Sequence, residues 1–160
     1  HLEANRDSLF VSPAPGLLYA RVHEAEAFGI GRKEAERMGA VSGLELMAEV
    51  YPKMRRRGIR VLPGGDYGFP YNPIGRNARD LQLFVELLGY TAIEALVAAT
   101  RQGGELMDMP VGLVKAGMLA DLLLVDGNPL ENIALVADPA RNFQVIMKDG
   151  KIFKNNLQDR

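Results

Sequence analysis

The chain has 160 residues, with 19 Lys+Arg against 20 Asp+Glu, two His and no Cys. Apolar residues make up 48% and charged residues 24%, the balance of a globular protein and not of a disordered one. A net charge of -1 offers no electrostatic footprint for nucleic acid or an anionic membrane, and the lack of cysteine excludes a disulfide framework or zinc finger. His1 and His23 are too few for a self-contained multi-histidine metal site. No apolar run approaches the length of a transmembrane helix, about 18 residues or more. The absence of cysteine permits a reducing compartment, and a cytoplasmic location is expected.

In chain order, the opening His1–Val11 reads as the end of a helix running into a strand, with no signal-peptide pattern. Such a beginning leads to the expectation of a piece of something longer. Leu9–Val11 is a short apolar run closed by Ser12-Pro13-Ala14-Pro15-Gly16, the pattern of a buried strand ending in a loop. Ala35, Met38, Val41, Leu44 and Met47 then recur at helical steps, and Val50, Tyr51 and Met54 extend the face. Pro52 is expected to kink or divide this helix, because it lacks the amide hydrogen. Arg55, Arg56 and Arg57 read as a solvated helix end before Gly58.

Ile59–Leu62 is a second short strand, running into Pro63-Gly64-Gly65-Asp66-Tyr67-Gly68. Leu81, Phe84, Val85 and Leu88 place a helix between Asn77 and Leu88, stopped by Gly89. Thr91 and Glu94 form a capping box, and the helix they open is expected to end near Gly103-Gly104. After Pro110 the period becomes strand-like, with candidate strands at Val111–Val114 and Ala120–Val125. Val145–Lys148, Asp149-Gly150 and Lys151–Phe153 make a hairpin signal, since Asp-Gly suits a type I′ turn. The chain thus reads as β-α-β-α-α over 1–108, followed by an antiparallel β piece over 109–160. Two strands of a parallel βα unit cannot close a barrel alone.

Asp66 is the strongest chemical candidate. It lies just past the C-terminal end of a buried strand, on a loop with Gly64, Gly65 and Gly68. Ligand and catalytic groups gather at that edge of parallel βα architectures. An aspartate there can ligate a cation or take a proton from a metal-bound water, although a turn aspartate bonded to its own backbone has the same spacing. His23, Tyr67, Tyr71, Arg76 and Asn77 are candidates for substrate binding, from the loops that follow the two strands, with a surface or core histidine at residue 23 and ordinary loop packing at the others as the alternatives. His1 is a terminus. Gly112 and Gly117 make no phosphate loop, and no G-x-x-x-x-G-K-[ST], G-x-S-x-G, H-E-x-x-H or C-x-x-C occurs.

The stretches Gly58–Asp66, Leu88–Thr100, Gly112–Glu131 and Val145–Lys151 together resemble the amidohydrolase superfamily, in its imidazolonepropionase-like and prolidase-like branch. The resemblance implies an α/β fold: the C-terminal βα units of a metal-dependent (β/α)8 TIM barrel over 1–108, and C-terminal strands of a composite β-sandwich over 109–160. It places Leu9–Val11 on the seventh barrel strand and Ile59–Leu62 on the eighth. It implies hydrolysis of an amide, lactam or related C–N bond by metal-activated water, with one or two divalent ions, commonly zinc. Asp66 falls on the family's aspartate after the eighth strand, which ligates metal and shuttles the water's proton.

The family's His-x-His, its bridging lysine or carboxylate and its mid-barrel histidines are absent, and would precede His1 in a longer chain. Gly64-Gly65 stands where relatives often have Gly-Thr or Gly-Ser, and Ile74 where they often carry a histidine. The expected partners are a small-molecule substrate, the N-terminal part of the barrel or another subunit, and a second copy in a homo-oligomer. Nucleic acid and membrane are not expected. The segment alone is expected to be inactive, and the competing reading is a non-catalytic α/β binding or oligomerisation module.

Overall fold

The computed structural model describes residues 1–157. The last three residues of the expected second domain, 158–160, lie outside the described residues. Strand β1 (Phe10–Val11) pairs in parallel with β2 (Arg60–Val61), placing Phe10 opposite Arg60 and Val11 opposite Val61. Parallel neighbours need a long crossover, and here it carries α1 (Pro15–His23), α2 (Arg32–Arg37) and α3 (Ala40–Arg56). One more bond, from the Leu62 amide to the Val11 carbonyl at 2.8 Å, carries the pairing past the ladder. After β2 come α4 (Arg79–Glu86), α5 (Ala92–Ala99) and α6 (Arg101–Met107).

Three expectations about the helices are corrected. The segment Pro13–Gly16 is not simply a loop, because Pro15 opens α1. At the first helical position proline's missing amide hydrogen costs nothing and its fixed φ is already helical. The long helix divides at Gly39, whose φ is 70°, and not at Pro52, which stays inside α3. The helix opened by Thr91 stops at Thr100, and Gly103 and Gly104 lie inside α6.

The main core joins β2 to the helices that follow it. Ile59, Val61, Phe84, Leu88, Tyr90, Ala95 and Ala98 are buried together, with Met47, Tyr51 and Met54 of α3 packed against them. These are the apolar faces that the helical spacing marks. The Phe84 and Tyr90 rings meet with centroids 5.0 Å apart and tilted. A second cluster, Leu17, Ala20, Ala25 and Tyr71, holds the loop after β2 against α1.

Residues beyond Pro110 contain β3 (Leu122–Val125), short helices α7 (Ala134–Ala137) and α8 (Pro139–Asn142), and the hairpin β4 (Phe143–Lys148) and β5 (Lys151–Asn155). The strands are antiparallel in the order β3-β4-β5. Asp149 and Gly150 both take positive φ, at 48° and 74°, as the type I′ reading requires. Val111–Val114 is not a strand. Gly112 has a φ of 84°, and a β-carbon on it would strike the Thr100 carbonyl. Its backbone is pressed onto the break between α5 and α6, leaving no ladder to join. Ile133, Val136 and Phe143 pack with Leu81, Val85 and Leu96, and so join this part to α4 and α5. Among the described residues no helix is long and apolar enough to cross a membrane.

The capping box forms as read. The Glu94 carboxylate accepts from the Thr91 amide at 2.8 Å, and the Thr91 hydroxyl accepts from the Glu94 amide at 3.4 Å. Thr91→Ala should lower unfolding free energy by about 1 kcal/mol, read from urea denaturation midpoints.

Candidate functional site

The site is built where the parallel strands end. Leaving β2, the chain passes so close to β1 that a β-carbon on Gly64 would strike the Ser12 hydroxyl. A β-carbon on Gly65 would run into the Tyr67 ring. With Ser12 and Tyr67 in these rotamers the two glycines allow close approach, and Asp66 follows them at the strand edge. The Asp66 side chain is exposed. Its carbonyl accepts a hydrogen bond from Asn72 Nδ2 at 2.8 Å. The Gly68 amide donates to the Asn72 carbonyl, and the Asn72 amide to the Phe69 carbonyl, both at 2.9 Å. Residues 66–72 thus form a closed ring of chain with Asn72 as its clasp.

The loop is fastened to α1 by aromatic and ionic contacts. Tyr71 is buried, stacks on Phe69 with centroids 5.4 Å apart, and accepts from Arg21 Nε at 3.2 Å. Arg76 Nη1 donates to Glu24 at 2.9 Å and to the Tyr71 carbonyl at 3.4 Å. Arg79 Nη1 also donates to Glu24, at 2.5 Å. Partial burial pushes the Glu24 carboxyl up, but hydrogen bonds from Arg79 and Arg76 outweigh it and hold the group below its ordinary value.

The structure separates the sequence candidates. Tyr67 and Asn77 line a cleft of about 260 Å³ together with Gly64, Gly65 and Asp80. Tyr71 and Arg76 are engaged in the contacts that tie the loop to α1. His23 stands apart: it ends α1, with its ring against Tyr19 at 4.5 Å, while Gly16 at the other end of that helix faces Tyr67 and Asp80. The two ends of α1 are separated by about 12 Å of helix rise.

Sequence reasoning missed Asn72 and Asp80. Asn72 reads as an ordinary turn residue, and Asp80 as an acidic residue in a helix's first turn. In the fold they are 0% and 1% exposed. A β-carbon on Gly16 would lie 2.6 Å from Asp80 Oδ1, so the carboxyl sits directly over the start of α1. That oxygen has no hydrogen-bond partner. Burial pushes the Asp80 carboxyl above its ordinary value, against the opposing pull of the Tyr67 hydroxyl, the Arg79 guanidinium and the Gly16 amide. Burial first, and the adjoining Asp80 second, push the Tyr67 phenol far up as well.

Comparison with known proteins follows from this geometry. No family model matches the chain. Ochratoxinase of Aspergillus niger is 30% identical over 129 residues, covering 79% of this chain and 25% of that protein. A crystal structure of a prolidase complexed with N-methylphosphonate-L-proline matches with a TM-score of 0.80 at 24% identity, over 96% of this chain and 37% of that one. A Xaa-Pro dipeptidase with bound methionine in its active site matches with a TM-score of 0.68 at 27% identity, over 90% and 34%. In fold the chain resembles the C-terminal portion of these amidohydrolase-, prolidase- and ochratoxinase-like proteins. Members of known structure combine a TIM barrel with a β-sandwich, and this chain spans about a third of their length. The resemblance seen in the sequence and the α/β class read from it both hold.

The buried carboxyl has a measurable consequence. Because the folded pKa of Asp80 is raised, the folded state binds more protons than the unfolded one above the ordinary value of 3.8. Asp80 therefore costs stability as pH rises from that value through the folded pKa. Asp80→Asn should remove this penalty. The difference in urea midpoint, variant minus wild type, should grow more positive as pH rises above 3.8 and level off only once the folded carboxyl has ionised.

Proposed function

We propose that this chain contributes the last βα units of a metal-dependent amidohydrolase that cleaves an amide, lactam or related C–N bond. In this reading residues 1–108 belong to the (β/α)8 barrel and 109–160 to a composite β-sandwich. The observation that carries it is Asp66, an exposed carboxylate set at the C-terminal edge of a parallel strand pair, just after two closely packed glycines. The relatives' names point the same way: prolidase, Xaa-Pro dipeptidase and ochratoxinase.

The donor set supports only part of a metal centre. Among the described residues no group of three His, Cys, Asp or Glu could hold a metal ion. Catalytic zinc sites commonly use three protein ligands, so Asp66 fits as one oxygen donor and the others come from outside the described residues. A bound divalent metal, zinc in this reading, would polarise the scissile carbonyl and acidify water. This chain's contribution is proton handling: the Asp66 carboxylate takes a proton from the attacking water and returns it to the departing nitrogen. Tyr67 and Asn77 line the adjoining cleft and are assigned to substrate contact. Tyr71 and Arg76 fasten the wall, and His23, at the far end of α1, takes no part in it.

The uncovered sheet supports the composite sandwich. Leu122, Leu123 and Leu124 of the edge strand β3 are 36%, 55% and 49% exposed. Successive strand residues face opposite ways, so both faces of this edge present leucine. Soluble sheets cover or charge such an edge, and further strands would do so here. A cytoplasmic location belongs to the same reading.

The test is hydrolysis of a panel of Xaa-Pro dipeptides and N-acyl amino acids by the full-length protein. Activity should vanish with chelator and return with zinc. Asp66→Asn should lower kcat by about 10²- to 10⁴-fold. Full activity after exhaustive chelation, or in Asp66→Asn, would refute the reading.

A further inference from the structure

We propose that Asn72 is the positioning residue for Asp66: its side-chain amide holds the aspartate's backbone and thereby aims the carboxylate at the reaction centre. The inference rests on the role assigned to Asp66 above. It begins from an imbalance in the loop. Asp66 is flanked by Gly64, Gly65 and Gly68, and Gly68 takes a φ of 118°. Glycines give the chain wide conformational freedom, so the local sequence cannot hold the aspartate still. A group that must meet a metal and a water needs its direction fixed closely.

The stiffness comes from one buried side chain. Asn72 is 0% exposed, and its polar groups reach back into the segment that carries Asp66. Its Nδ2 donates to the Asp66 carbonyl at 2.8 Å. Its carbonyl accepts from Gly68 and its amide donates to Phe69, both at 2.9 Å. Holding the Asp66 carbonyl restrains ψ at that residue, and with it the direction in which the side chain leaves the backbone. Tyr71, the preceding residue, is buried against α1 and anchors the clasp to the scaffold.

Stability alone does not account for asparagine at this position. Asn72 Oδ1 is buried without a hydrogen-bond partner, an arrangement that weakens a fold. Leucine has nearly the same shape and would remove that buried orphan, at the cost of the bond to the Asp66 carbonyl. What leucine cannot do is donate to the Asp66 carbonyl. The polar side chain therefore acts through that bond, as an outer group orients a metal ligand elsewhere.

The experiment compares Asn72→Leu and Asn72→Ala with Asp66→Asn in the full-length protein, using the best substrate of the panel above. Leucine keeps the volume and alanine empties it, so their thermal midpoints should differ. If the donated bond is what matters, both should lose kcat alike, by about 10- to 100-fold, with KM unchanged. Hydrogen exchange across residues 64–72 should quicken in both, and zinc affinity measured by chelator competition should fall. Wild-type kcat in either folded variant overturns the proposal, as does activity that tracks the midpoint instead of the missing donor. An active Asp66→Asn would instead refute the assignment of Asp66, so the two failures are distinguishable.

Discussion

The ends of β1 and β2 come together so closely that a β-carbon at Gly64 would meet the Ser12 hydroxyl of the neighbouring segment. That close approach depends on the core that packs β2 against the helices that follow it. The parallel ladder itself is only two residues long on each strand. Its hydrogen bonds cannot hold the architecture, so position is set by what packs on either side. Ile59 and Val61 face the helical core, and Leu62 continues the pairing before the turn into Gly64. The strand edge, and with it Asp66, is fixed relative to α4 and α5 by burial of Phe84 and Leu88 and not by backbone pairing.

Two buried polar residues then do different jobs on either side of that edge. Asn72 ties loop to loop. Asp80 ties helix to helix, because it stands at the start of α4 and presses on the start of α1. A carboxylate over a helix N-terminus meets the positive end of that helix's dipole, which offsets part of its desolvation. The Glu24 pairs with Arg76 and Arg79 fasten the opposite end of α1 to the loop and to α4. The helix that follows β1 is thus gripped at both ends by the element that follows β2, by packing and charge together.

The apolar patterns were readable because they follow from periodicity. The two strands, the face of α4, the Thr91 cap and the Asp149-Gly150 turn all sit where spacing and turn chemistry place them. Errors came where one residue type serves two purposes. Pro15 can close a strand or open a helix, and only the position of α1 decides. Pro52 near the end of a helix does less damage than a left-handed glycine at residue 39. Val111–Val114 has strand composition, but Gly112 presses on Thr100 and takes the segment out of any sheet. At the site, the place of Asp66 at the strand edge is legible from the apolar run and the glycines before it. Asn72 and Asp80 were not, since burial of a polar side chain is decided by residues distant in sequence. The same is true of Tyr71 and Arg76, whose partners Arg21 and Glu24 lie on α1.

The clasp at Asn72 also divides the loop after β2 into two parts with different tolerance for change. Residues 66–72 are closed on themselves, whereas Pro73, Ile74 and Gly75 lie beyond the closure in solvent, with Ile74 81% exposed. Substitutions at Pro73 and Ile74 can vary without transmitting a displacement to Asp66, because the ring is already shut before the chain reaches them, whereas Gly75 is held to glycine by its φ of 101°. In the function proposed for Asp66, this arrangement would separate the residue that handles the proton from a tip at Pro73 and Ile74 that is free to diverge, so new specificity would arise there while the aspartate keeps its place.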